Sequence, residues 1–116
     1  MKDELKYRTK EFAKAVWTQS QSIVYEFTDY KRQLIRCSSS VGANYRAACR
    51  AKSTKDFLNK LKIVEEELDE SLFFIELIKE LSKKPDEKWN SIYSEGEVLL
   101  KIIVASILTV KRNQKT

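Results

Sequence analysis

Histidine is absent from this chain of 116 residues. That absence removes histidine metal ligands, histidine-dependent triads, Glu-x-x-His di-metal motifs and imidazole pH switching together. Glycine occurs twice and proline once. Sandwiches and barrels need turn residues between their many strands, so an all-β fold is not expected. Cysteine occurs only at Cys37 and Cys49. On a single helix these two would lie about 18 Å apart along the axis, far beyond disulfide reach. Both are expected to behave as small buried apolar residues in a reducing compartment. Long apolar runs are also missing. The most apolar stretch, Val98–Val110, is interrupted by Lys101 and is too short to span a bilayer, so no membrane association is expected. The charged opening Met1-Lys2-Asp3-Glu4 precedes no apolar stretch, so no signal peptide is expected and the location is read as cytoplasmic. No glycine-rich phosphate loop, Gly-x-Ser-x-Gly turn or nucleophile–base constellation is present. The chain is therefore not expected to be an enzyme or to carry a cofactor.

What remains is rich in charge and in apolar residues at helical spacing. Apolar residues make up 42% and charged residues 34%, the balance of a folded protein rather than a disordered one. The length suits one domain, residues 1–116, with a core that needs no staples. Four segments carry the helical period. The first runs from about Leu5 to Phe27, with Leu5, Phe12, Val16, Ile23 and Phe27 on one side. Thr28-Asp29 breaks it, and Asp29 is placed to cap the second, about Tyr30 to Ala51. Ser53-Thr54-Lys55-Asp56 reads as a capping box opening the third, which ends near Leu81. Ser82–Asp86 holds the one proline and reads as a loop. The fourth runs from about Lys88 to Lys111, with Asn113–Thr116 as a frayed tail. Short connections make neighbouring helices antiparallel, so the expected fold is all-α, an up-and-down four-helix bundle.

The net charge is +5, and one segment accounts for it. Residues 29–52 hold six basic groups and one acidic group. On a helical wheel starting at Lys31, the cations Lys31, Arg46, Arg32, Arg50 and Arg36 fall at about 0, 60, 100, 100 and 140°. The apolar residues Cys37, Ala48, Tyr30, Val41, Leu34 and Tyr45 fall between about 240 and 320°, so the two faces do not overlap. Arginine makes up four of the five cations, and its planar fork suits phosphate. A polyanion surface is one reading. Pairing with acidic groups of a neighbouring helix or subunit is the other. Between the arginines, Ser38-Ser39-Ser40-Val41-Gly42-Ala43-Asn44 is poor in helix propensity. Such small residues read first as a place of close helix packing, and less readily as a ligand site.

The third segment carries more apolar surface than one bundle core needs. Phe57, Leu61, Val64, Leu68, Leu72 and Ile75 form one stripe. Ile63, Phe73, Phe74, Leu77 and Leu81 form a second. The fourth segment places Leu99, Ile102, Ile103, Ile107 and Val110 on one arc, with Val104, Ala105 and Leu108 outside it. A monomer rarely leaves such patches in water, so self-association through the third and fourth helices is expected, with Ile63, Phe73, Phe74, Leu77 and Leu81 at the interface. The acidic run Glu65-Glu66-Glu67 with Asp69 and Glu70 raises a metal hypothesis. A di-metal bundle needs inward carboxylates from several helices, and the second segment offers only Asp29, so no metal site is expected. Ion pairing with the basic helix is the favoured use of these carboxylates.

The stretch Gln33-Leu34-Ile35-Arg36-Cys37-Ser38-Ser39-Ser40-Val41-Gly42-Ala43-Asn44-Tyr45-Arg46-Ala47-Ala48-Cys49-Arg50-Ala51 resembles the hallmark helix of a bacterial family. These are the four-helix-bundle proteins first noticed as reading frames in 23S ribosomal RNA intervening sequences. Asp56-Phe57-Leu58-Asn59-Lys60-Leu61-Lys62-Ile63-Val64-Glu65-Glu66-Glu67-Leu68-Asp69-Glu70-Ser71 resembles the family's next helix. The resemblance covers about Gln33–Leu81, and the first and fourth segments match in pattern only. The accessory variability proteins of diversity-generating retroelements are related. The resemblance implies an antiparallel bundle, a ring-shaped homopentamer and a basic surface for RNA or DNA. In the retroelement branch it also implies association with a reverse transcriptase. It implies no enzymatic activity.

Overall fold

Two helix starts are fixed by side chains that take up free amides, and one helix end by side chains that compete for its carbonyls. The computed structural model describes residues 2–83 and 86–114. They form α1 (Lys2–Ser20), a single 3-10 turn (Tyr25–Phe27), α2 (Thr28–Cys49), α3 (Thr54–Leu81) and α4 (Glu87–Gln114). No strand occurs among the described residues.

The first helix is shorter than its apolar spacing suggests. It ends at Ser20 rather than near Phe27. The reason lies in the polar run at its end, where Gln21 Nε2 donates to the Trp17 carbonyl and Ser22 Oγ donates to that of Gln19. Side chains of this kind offer the backbone an alternative to the helical ladder. The last amides tighten to i→i−3 bonds, and Val24 then turns extended. Ile23 still packs on the core, but from the connection. Asp29 does not cap α2, which begins one residue earlier; it lies in the first turn, where its charge faces the positive end of the helix dipole. Ser53 does cap α3, its Oγ accepting from the Asp56 amide at 3.0 Å. Asp86 caps α4 by accepting from the Lys88 amide, and its other oxygen accepts from Gln19 Nε2, tying the end of α1 to the start of α4. Pro85 lies outside the described residues, as do Lys115 and Thr116 of the expected tail; Asn113 and Gln114 belong to α4.

Each helix packs on its chain neighbours, and α4 returns to α1. Contacts run in opposite directions along every pair. Arg36 meets Glu70 while Tyr30 meets Phe74, and Tyr93 meets Glu76 while Gly96 meets Leu72. The bundle is therefore antiparallel and up-and-down, with Cα extents of 51 × 21 × 19 Å. Its core runs the full length, from Leu5, Tyr45 and Ile107 to Val16, Ile78 and Trp89. Buried hydroxyls of Thr9 and Ser71 are satisfied locally, donating to the Leu5 and Glu67 carbonyls at 2.7 Å each, whereas Ser20 Oγ makes no hydrogen bond among the described residues. The α1–α4 side is closed by a forked ion pair, Arg8 Nη2 and Nε to the two Glu95 oxygens at 2.7 and 3.0 Å.

Both glycines sit where helices approach closely. A Cβ on Gly42 would touch the Thr9 backbone at 3.5 Å, so the small-residue stretch of α2 serves packing against α1. Gly96 faces Leu72 and Phe12. Several residues expected in the core are only partly in it: Ile23, Phe27, Cys49, Ile102 and Val110 are half-buried. Tyr30, in the first turn of α2, is 39% exposed, and Phe57, in the first turn of α3, is half-buried. Leu58, Ile78, Trp89 and Ile92 are buried in addition to those expected.

Candidate nucleic-acid interface

The core side of α2 takes Leu34, Cys37, Val41, Tyr45 and Ala48, and its flanks are held by α1 and α3. The remaining arc carries the cations. Arg32, Arg46 and Arg50 are exposed, and Lys31 is half-buried. Among the described residues, these four take part in none of the ion pairs. Arg32 and Arg50 are about 27 Å apart along the helix at ~1.5 Å per residue, a row comparable in length to several phosphate steps.

Arg36 is placed differently. Its guanidinium donates through Nη2 to both Glu70 oxygens at 2.6 and 2.8 Å, through Nη1 to Glu67 at 3.4 Å, and through Nε to Gln33 at 3.2 Å. The Glu70 bond is the main cause that raises its already high pKa, so it stays cationic. Glu67 answers mainly to burial, which raises its carboxyl above the ordinary value, while Arg36 opposes that shift. This is the pairing of acidic run with basic helix that the sequence suggests, realised at one cation of the five. Cys37 Sγ lies with the Glu67 and Glu70 oxygens in a group no wider than 4.8 Å. Burial pushes that thiol up to about 11, and Arg36 already occupies both carboxylates. The arrangement works as an interhelix clamp, with a protonated thiol beneath it.

Beside the arginines runs a groove of about 430 Å³ between α1 and α2, lined by Asp3, Lys6, Tyr7, Lys10, Ser39 and Arg46 over a floor at Gly42. The tight packing at Gly42 brings the two helices together beneath it. Lys6 and Lys10 therefore join the cations of α2, which the charge tally of the first segment concealed because its acidic residues nearly cancel them. The signal that would have found them is the i,i+4 pair Lys6/Lys10 on the face that also holds Tyr7.

The second apolar stripe of α3 divides. Ile63, Phe74 and Leu77 are half-buried; Phe73 and Leu81 are 57% and 40% exposed. Phe74 packs on the core flank, its ring 6.3 Å from Tyr30 and 5.2 Å from Phe73 in an edge-on contact. Val98 and Leu108 of α4 are exposed as well. No helix among the described residues is long and apolar enough to cross a membrane.

The model of a family described as 23S rRNA-intervening sequence protein matches residues 3–105. A crystal structure at 1.70 Å of a protein of unknown function, from the S23 ribosomal protein family of Bacteroides thetaiotaomicron, is similar in fold, with a TM-score of 0.82. It is 31% identical, over 92% of this chain and 98% of that one. No match was found among curated proteins.

Proposed function

The chain belongs to the 23S rRNA-intervening sequence protein family, and from that premise we propose that it is a non-enzymatic accessory protein that binds the backbone of RNA or DNA as an oligomer. The observation that carries this reading is the outer face of α2, where Arg32, Arg46 and Arg50 stand exposed without acidic partners among the described residues, with Lys31 at its edge. Natural surfaces intersperse charges of both signs, so a row of one sign beside a cationic groove favours a polyanion. The contacts are to phosphate, which gives affinity with little base preference. Arg36 contributes through its outward edge and otherwise holds the helix to α3. The protein works in the cytoplasm, without a cofactor.

Self-association is the second part of the proposal. Phe73, Leu81, Val98 and Leu108 are apolar and exposed, and a ring of copies would cover such a surface, with Ile63, Phe74 and Leu77 behind it. A pentamer is the proposed size, and light scattering should then give five times 13.6 kDa. A ring also repeats a weak patch and raises its effective affinity. The same exposed apolar residues support a second reading, a protein-interaction scaffold such as a reverse-transcriptase accessory subunit without a nucleic-acid role of its own.

Mobility shifts against salt distinguish the readings. With Arg32, Arg46 and Arg50 all replaced by Ala, the slope of log affinity against log salt should fall by about 2–3, at ~0.7–0.9 for each lost phosphate contact. Unchanged RNA and DNA binding by this variant would remove the backbone reading.

A further inference from the structure

We infer that the outer face of α1 is a single-strand site, on which bases stack against Tyr7 and Trp17 while their phosphates are held by Lys6, Lys10 and Arg46. The inference rests on the backbone-binding reading and narrows it to one class of strand. Tyr7 is 61% exposed and Trp17 is 56% exposed, although α1 buries Leu5, Phe12 and Val16 on its other side. Large aromatic rings in water next to lysines are not explained by the core. Counting at ~100° per residue, Tyr7, Lys6, Lys10, Lys14 and Trp17 share one arc of about 100°. Tyr7 and Trp17 are ~15 Å apart along the axis, with Lys10 and Lys14 between them. Lys14 is paired with Glu11 at 3.0 Å, which leaves Lys10 as the unpaired cation of that interval among the described residues.

The groove completes the site at the Tyr7 end. Its volume of about 430 Å³ falls within the range of sites for small organic groups. Lys6 and Lys10 on one wall and Arg46 on the other outnumber Asp3. The Ser39 hydroxyl lies on the same wall as Arg46 and can meet a base edge or sugar. Cations alternating with exposed rings are the combination that single-stranded nucleic acid requires, because any base offers a π-face once it is out of a duplex. A duplex keeps its base faces stacked on one another and can use only the cations. The arginine row of α2 is open to either form; the α1 strip is selective for the single strand.

The chain has two tryptophans, and Trp89 is only 4% exposed, so ligand-dependent change in intrinsic fluorescence reports on Trp17. Short single-stranded RNA and DNA oligomers should each quench it saturably, and the matching duplexes should not. Tyr7→Ala and Trp17→Ala should each weaken single-strand binding roughly tenfold, the typical loss of one stacked base. Tyr7→Phe and Trp17→Phe should retain it, and duplex affinity should stay within about twofold in all four variants. RNA and DNA should respond alike, since ring faces and phosphates are common to both. Unchanged single-strand affinity in both alanine variants overturns the inference. So does an equal loss on duplex, or a loss that tracks a change in oligomer mass, which would make the rings subunit contacts. Duplex binding without single-strand binding overturns this inference alone; wild-type protein that binds neither form overturns the parent reading too.

Discussion

Replacing the two glycines one at a time by alanine should move stability in opposite directions. Both lie inside helices, where Gly costs about 1 kcal/mol relative to Ala, so both substitutions gain the same propensity term. The surroundings differ. A Cβ on Gly42 would meet the Thr9 carbonyl carbon and oxygen at 3.5 Å and the Lys10 amide at 3.6 Å, ordinary contact distances. Nothing has to move, and Gly42→Ala should stabilise by about 0.5–1 kcal/mol. A Cβ on Gly96 would stand 2.8 Å from Leu72 Cδ2 and 3.1 Å from Phe12 Cε1. Leu72 and Phe12 are 6% and 2% exposed, so the leucine methyl has little room to swing and the ring is fixed. Overpacking of this kind costs roughly 1–3 kcal/mol. After the propensity gain, Gly96→Ala should lose about 0–2 kcal/mol. Urea unfolding followed by far-UV circular dichroism would measure the difference, at one protein concentration so that association does not enter. A Gly96→Ala variant as stable as Gly42→Ala, or a destabilised Gly42→Ala, would refute the packing assigned to these helices.

Arg36→Ala should cost up to about 1 kcal/mol, no more, because the Arg36 side chain is 48% exposed and solvent screens the pair. The cost should depend on pH. Burial holds the Glu67 carboxyl above its ordinary value, so its contribution favours the fold below that ordinary value and is lost as pH rises through the raised one. Removing Arg36 removes a cause that opposes the rise, so the destabilisation should be largest at pH 7 and shrink towards pH 3; an equal cost at both pH values would count against the clamp. Thiol titration near pH 8 should modify Cys49, which is half-buried, before Cys37, which is fully buried with its thiol pushed up to about 11. Cys37 should react only on unfolding, and a fast thiol in Cys49→Ser would contradict this. Phe73→Glu should lower the oligomer mass while leaving the helical signal intact, since the ring is 57% exposed. Phe74→Glu should also disturb the fold through its contact with Tyr30, so retention of full assembly in Phe73→Glu is the result that would move the interface elsewhere.

The architecture was legible because burial in a bundle follows the helical period, and Leu34, Cys37, Val41, Leu61, Val64, Leu68, Leu99 and Ile103 all face inward as that period requires. The start of α3 was legible because one side chain, Ser53, does the capping, and its end at Leu81 was legible from the polar, proline-containing run that follows. The end of α1 was not, because apolar spacing continues through Ile23 and Phe27 while Gln21 and Ser22 turn the backbone aside beneath it. The candidate site was half visible for a related reason. A wheel drawn on one helix finds the arginines of α2, since they share that helix. It cannot show that Arg36 leans onto α3 while Arg46 leans towards Lys6 and Lys10 of α1. Which cation becomes a clamp and which stays open is decided by the neighbouring helix. Arg36 faces α3 where Glu67 and Glu70 wait, one helical turn apart at most; Arg46 faces α1, where lysines and an exposed tyrosine line the wall. The same residue type on the same helix thus divides between holding the bundle together and presenting charge, and the division follows from the charge that α1 and α3 present to each position.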